Sequence, residues 1–220
     1  MKTDNVETPP VENPVTLPSV TVAITGASGV QYGLSLVGCL LDAKVTVHLL
    51  VSRAAIEVMG IEVGCSLWKG MAAPKNLSEF GGMLGSLYPN SKNRLFFYTD
   101  KQWTSLVASG SGGPKAMVVC PCSAGTLSAI ACGASNNLIE RAADVVLKER
   151  RQLIIVPREM PLSSIHLEHM LKLSNMGVVI MPASPGFYHG PTSVQDMIDF
   201  VVARVLDHLG VPHKLVAAWG

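Results

Sequence analysis

The residues whose types and spacing could support chemistry fall in a few short segments of this 220-residue chain. Thr25-Gly26-Ala27-Ser28-Gly29 follows a β-branched run, and a glycine turn at a helix start offers free N–H groups that favour an anion. The spacing is not Gly-x-Gly-x-x-Gly, so a phosphate cradle and plain turn chemistry both stay open. Cys120-Pro121-Cys122-Ser123-Ala124-Gly125-Thr126-Leu127 is a second such junction. There Ser123 and Thr126 can hydrogen-bond a phosphate or a polar ring edge while Ala124 and Gly125 allow close approach; an ordinary N-cap is the plainer alternative. Arg158-Glu159 joins a bidentate phosphate ligand to a proton carrier, and a charge pair at a strand end is expensive to bury without partners. Arg204 sits at the edge of an apolar stripe, where snorkelling and phosphate binding are equally compatible with the spacing. Lys148 stands at i, i+4 steps with Asp144 and Glu140, which by default forms a solvated salt-bridge face. Tyr188 and His189 follow Pro185-Gly186-Phe187 in a loop.

Two weaker patterns are set aside. Tyr88 and Lys92 have the Tyr-x-x-x-Lys spacing of short-chain dehydrogenases, but Pro89 and Asn90 mark a turn, not the helix face that pair requires. Cys120-Pro121-Cys122 has no second Cys or His pair at metal-ligand spacing and reads as buried thiols at a strand end. No metal is expected.

Positioning these groups calls for alternating strands and helices. Apolar, β-branched runs predict strands over 20–25, 44–51, 95–98, 116–120, 153–156 and 178–181. Helices are predicted over 30–41, from a Ser52 cap to about 59, from Ser123 to about 132, and over 136–150, 163–176 and 193–209. The last shows one apolar stripe of Val194, Met197, Ile198, Val201, Val202, Val205 and Leu206. Glycines and prolines make 60–115 irregular apart from its one strand. The expected fold is a single α/β domain over 20–220, a Rossmann-like (flavodoxin-like) mostly parallel sheet with helices on both faces. Residues 1–19, with four prolines and three acids, are expected to be a disordered tail. Ligands of such sheets bind at the carboxyl ends of strands, which points to 26–29, Ser52, 121–126, 157–159 and 182–189.

The formal net charge of +1 argues against nucleic acid or an anionic membrane as partner. Charged residues make up 15%, against about 25% in typical soluble domains, beside 48% hydrophobic residues. Burial between subunits accounts for this shortage, so a homo-oligomer is expected. No apolar run approaches the roughly 20 residues that span a bilayer, and no signal peptide is expected. Five cysteines, an odd number lying mostly in apolar segments, suit a reducing cytoplasm.

Several long segments, in order, resemble the UbiX-type flavin prenyltransferases: 25–33 (TGASGVQYG), 120–127 (CPCSAGTL), 137–144 (NLIERAAD), 147–151 (LKERR), 157–159 (PRE) and 185–189 (PGFYH). The resemblance covers about residue 20 to the C-terminus. It implies a metal-independent alkyl transfer in which reduced FMN takes a dimethylallyl group from dimethylallyl monophosphate at N5 and C6. The product would pass to a UbiD-type decarboxylase, often in ubiquinone biosynthesis. By the same resemblance Gly26, Ala27, Ser28, Ser52, Ser123, Ala124, Gly125, Thr126 and Arg158 hold FMN, and Ser28, Glu62 and Glu159 are catalytic, Glu159 exchanging a proton with the leaving phosphate. Lys148, Tyr188, Arg204, Ser109, Gly110 and Arg141 would hold the donor phosphate, while Trp103 and Trp219 shelter the allyl group. The family also implies a dodecamer whose sites form where subunits meet. The nearest rival is an FMN-dependent decarboxylase of the cysteine-decarboxylase superfamily; its members carry a histidine on an early helix, and 30–41 has none. A non-catalytic flavin-binding subunit is the other, disfavoured by the intact set of Ser28, Glu62, Lys148, Glu159, Tyr188 and Arg204.

Overall fold

The computed structural model of the chain describes residues 18–62, 72–91 and 93–216. The apolar runs become strands covered on both faces: β1 (Ser19–Ile24), β2 (Thr46–Val51), β4 (Ala116–Cys122) and β5 (Gln152–Pro157) each bury five residues or more. β3 (Leu95–Tyr98) and the short β6 (Val179–Ile180) lie at the edges and are less covered. Every pairing among the described strands is parallel, in the order β3-β2-β1-β4-β5-β6. This is the expected Rossmann-like sheet, and its order reverses between β1 and β4, where such sheets open a ligand crevice.

Strand alternation divides the core into two layers. Val20, Val22, Ile24, Val118, Cys120, Ile154 and Val156 face one side, beneath α1 (Val30–Asp42), α2 (Arg53–Ile61), α3 (Leu77–Leu87) and α7 (Val194–Leu209). Ala23, Leu50, Met117, Val119, Leu153 and Ile155 face the other, beneath α4 (Ala124–Cys132), α5 (Leu138–Lys148) and α6 (Ser164–Asn175). Helix starts follow the expected chemistry: Ser52, Asn76, Ser123, Asn137, Ser163 and Ser193 are all N-caps whose side chains accept a first-turn amide.

Three features depart from expectation. Helix α3 forms in the stretch read as irregular, although Gly81, Gly82 and Gly85 each cost about 1 kcal/mol of helix propensity. Phe80, Leu84 and Leu87 bury one face of it, and that packing outweighs the glycines. Strand β1 begins at Ser19, inside the stretch expected to be a tail, of which residues 1–17 lie outside the described residues. Val194, the first member of the α7 stripe and the first residue of that helix, is 78% exposed.

The reactive-looking buried groups are held in their neutral forms. Burial pushes the Cys122 thiol up to about 12 and the Cys39 thiol up to about 11, and raises that of Cys120 as well. His48 on β2 is buried, stacked on Phe96 and Tyr98, with Nδ1 3.0 Å from the Tyr98 hydroxyl; burial lowers its pKa.

The buried Thr25 joins the two central strand ends. Its hydroxyl donates to the Pro121 carbonyl at 2.9 Å and accepts from the Ser123 amide at 2.8 Å. Thr25→Val, nearly isosteric, strips the Ser123 amide of its acceptor and is expected to lower unfolding free energy by about 1–3 kcal/mol, measurable by urea denaturation. The lowered His48 pKa means that the unfolded chain binds a proton more readily than the fold does. Stability from this group is therefore complete above the unfolded value of about 6.5 and is lost as pH falls through it. Denaturation between pH 7.5 and 5 should show a steeper acid loss in the wild type than in His48→Gln.

Candidate functional site

At the reversal point the chain leaves β1 through Gly26–Gly29 and enters α1 at Gly29, whose φ of 97° is left-handed. A Cβ on Gly26 would lie 2.5 Å from Cβ of Ala54, so packing of α2 against the turn demands a glycine there. No side chain within α1 caps its start. Glu62, at the C-cap of α2, supplies the acceptors instead: Gly29 N donates to Oε1 at 2.9 Å and Val30 N to Oε2 at 3.2 Å. This carboxylate lies on the positive end of the α1 dipole. The turn is therefore not the open phosphate cradle its glycines suggested; a side chain 32 or 33 residues away has already neutralised it.

The second junction is built differently. Ser123 caps α4 by accepting from Thr126 N at 3.4 Å and donates its hydroxyl to Thr126 Oγ1 at 3.1 Å. The first-turn amides of Ala124 and Gly125 have no intrahelical acceptor by helix geometry. No atom lies within 4 Å of where a Gly125 Cβ would be, so a ligand can approach the backbone there. Ser52 caps α2, accepting from Ala55 N at 3.1 Å, on the neighbouring strand end.

Arg158 bridges the two junctions. Its amide donates to the Cys122 carbonyl at 3.3 Å and its Nε to the Ser28 carbonyl at 3.2 Å. Glu159 does not pair with it: the side chain is exposed, and Oε1 accepts from Met160 N at 3.2 Å. Arg158 and Glu159 are thus two separate groups, with the guanidinium turned to the crevice and the carboxylate to solvent. A cavity of about 490 Å³ results, with Ser28, Tyr32, Glu62 and Arg158 on its polar side and Ala183, Val194 and Ile198 as apolar wall. Burial raises the Tyr32 phenol, Cys120 adds to this and Arg158 opposes it, so the phenol is a neutral donor. Open α4 amides and a crevice with one apolar and one charged side suit a flavin mononucleotide, whose ring is flat and apolar with a polar edge.

The groups assigned to the donor phosphate fall into two sets. Tyr188 packs edge-on against Phe200 of α7 at 5.7 Å, and Arg204 follows Phe200 by four residues on that helix. Arg204 pairs with Asp207, which also holds His213. Lys148, Arg141, Ser109 and Gly110 belong to the other face of the sheet, with α5. Lys148 bonds Glu149, not Asp144, which pairs with Arg141 at 2.8 Å; the expected i, i+4 ladder does not form because Glu140 is buried and turned to Asn136 and Asn137. A Cβ on Gly110 would lie 2.9 Å from Lys148 Nζ, and Arg151 holds the 110–114 loop through the carbonyls of Gly110, Gly113 and Pro114. Trp103 is 44% exposed in the loop after β3. Trp219 and Lys92 lie outside the described residues.

Sequence reasoning gave Tyr32, Val194 and Ile198 no place in this crevice. Tyr32 was the findable one. It stands three residues after Gly29, and its ring fills the space a Cβ there would need, 2.8 Å away.

With that geometry in hand, known proteins give a consistent answer. Residues 11–206 match the family model described as Flavoprotein. Flavin prenyltransferase UbiX of Pseudomonas aeruginosa is 56% identical over 203 residues, covering 91% of this chain and 93% of that protein. A solved dodecameric, FMN-dependent UbiX-like decarboxylase from Escherichia coli O157:H7 superposes with a TM-score of 0.77 at 38% identity, covering 92% of this chain and 99% of the other. AnUbiX (PadA1), solved in complex with FMN and dimethylallyl pyrophosphate, gives 0.76 at 34% identity, covering 92% and 97%. This chain belongs to the flavoprotein family, among its UbiX-type flavin prenyltransferases.

Proposed function

We propose that the chain transfers a dimethylallyl group from dimethylallyl monophosphate to N5 and C6 of reduced FMN and delivers the prenylated flavin to a UbiD-type decarboxylase. The observation that carries this reading is the crevice at the strand reversal. There Ser28, Glu62 and Arg158 meet an apolar wall, beside helix-start amides open to a phosphate. Reduced FMN supplies the nucleophilic nitrogen and carbon. The chain supplies the rest. Ser52, Ser123, Ala124, Gly125, Thr126 and Arg158 hold the cofactor, while Gly26, Ala27 and Ser28 bring backbone and one hydroxyl against its ring. Glu62 keeps that turn in place from the α1 end. As the C–O bond of the donor breaks, positive charge develops on the allyl carbons and negative charge on the phosphate. An aromatic face at Trp103 and Trp219 favours the first, and Lys148, Arg141, Arg204 and Tyr188 favour the second. Glu159, exposed and next to Arg158, exchanges a proton with the departing phosphate.

The two phosphate-binding sets lie beneath opposite faces of one sheet, so the reading includes a homo-oligomer in which neighbouring copies complete each site, a dodecamer as in the Escherichia coli relative. Exposed Ile165, Leu167 and Leu171 on α6, with Met160 and Leu162 just before it, support burial against other copies. Among the described residues no helix is long and apolar enough to cross a membrane. The cytoplasm is the compartment we assign, in keeping with the free thiols of Cys39, Cys120, Cys122 and Cys132.

Purified protein given FMN, a reductant and dimethylallyl monophosphate should yield a flavin heavier by one prenyl group in mass spectrometry. Recovery of unmodified FMN alone from folded, saturated protein would refute the assignment. Glu62→Ala removes both acceptors from the α1 start and is expected to cost about 1 kcal/mol of stability. It should also weaken FMN binding several-fold in a fluorescence titration, because the Ser28 turn loses its anchor; unaltered FMN affinity would confine Glu62 to chemistry.

A further inference from the structure

His189 is the group near the site that the roles above leave unexplained. It sits between Tyr188 and the left-handed turn at Gly190 (φ 65°). Its ring stacks on Phe200 of α7 with centroids 5.1 Å apart and 18° between planes. It meets the Tyr188 ring edge-on at 6.1 Å. Tyr188 itself packs edge-on against Phe200, so the three rings form one cluster, a helical turn before Arg204. Both imidazole nitrogens are shielded from solvent, and neither has a hydrogen-bond partner among the described residues.

Packing alone does not account for a histidine here. Phenylalanine would make the same stack on Phe200 and the same edge contact with Tyr188 with no polar atom to desolvate. An unsatisfied buried donor or acceptor, by contrast, costs about 1–3 kcal/mol. The imidazole is thus an unused hydrogen-bonding group adjoining Tyr188 and one turn from Arg204, two groups assigned to the donor phosphate. Tyr188 is 64% exposed and lies outside the buried core.

Building on the flavin prenyltransferase reading, we propose that His189 is a further ligand of the prenyl donor's phosphate. When the anion settles between Tyr188 and Arg204, the Tyr188 edge moves off the imidazole and a ring N–H donates to a phosphate oxygen. The loop 185–190 then contributes two adjacent donors, and α7 contributes the cation. No bond is made or broken in this step; its effect is to orient the leaving group.

The test uses the full chain loaded with FMN, as wild type, His189→Phe and His189→Gln, titrated calorimetrically with inorganic phosphate and with dimethylallyl monophosphate. His189→Phe, which keeps the ring stack, should weaken both ligands about tenfold, as expected for one lost charge-assisted hydrogen bond. It should leave FMN affinity unchanged and thermal stability equal or higher. His189→Gln, which restores an N–H donor, should recover most of the affinity. Wild-type binding of both phosphates by His189→Phe, or equal weakening by the two variants, would overturn the assignment. A wild type that binds phosphate through His189 yet never alkylates FMN would instead refute the prenyl-transfer reading and leave this ligand in place.

Discussion

The hydroxyl of Thr25 is the contact on which the rest of the site depends. At the reversal point of a doubly wound sheet, β1 and β4 are neighbours whose following helices leave to opposite faces, so their ends would be free to splay. One buried hydroxyl, donating to Pro121 and accepting from Ser123, closes that gap. It fixes the turn before α1 against the cap of α4. Arg158 extends the tie to the third strand end by bonding the Cys122 carbonyl through its amide and the Ser28 carbonyl through its guanidinium. The floor of the crevice is therefore a short hydrogen-bonded network among three strand ends. Such a network sets positions to within tenths of an ångström, which apolar packing alone does not.

Charge is distributed around that floor with a clear division. The positive end of α1, at the back of the crevice, is permanently answered by Glu62. The cations assigned to the phosphate are held differently: Lys148 and Arg204 rest in exposed pairs and Arg141 in a half-buried one, each with a carboxylate one or three residues away on the same chain. Pairs of this kind are worth about 0–1 kcal/mol, so an incoming dianion can recruit the cations at little cost. Their carboxylates keep the cations in place beforehand.

Much of this was legible in the sequence because the physics involved is local. A parallel strand buried on both faces must be a continuous β-branched run, and a helix start must carry a side-chain acceptor; Ser52, Ser123, Asn137, Ser163 and Ser193 did so without help from elsewhere. Helix α3 was hidden for the same reason in reverse. Its glycines speak against a helix locally, and only the burial of Phe80, Leu84 and Leu87 against distant strands reverses the balance. Val194 shows a further limit: periodicity places it on the apolar stripe but cannot tell that it stays exposed at the helix start.

What the sequence determined by itself was the alternation of strands and helices, the expectation that ligands gather at the strand ends, and the motifs that mark a flavin prenyltransferase. What only the tertiary structure decided was which groups share an atom. Thr25 reaches Pro121 and Ser123 across 96 and 98 residues, and Glu62 reaches Gly29 across 33. Lys148 turns to Glu149 although the spacing favours Asp144. Hydrogen bonds depend on a few tenths of an ångström, and that precision exists only once the whole sheet has closed. The glycine turn that looked open to an anion is answered by a carboxylate from the next helix, while the space beside Gly125 at the start of α4 stays open.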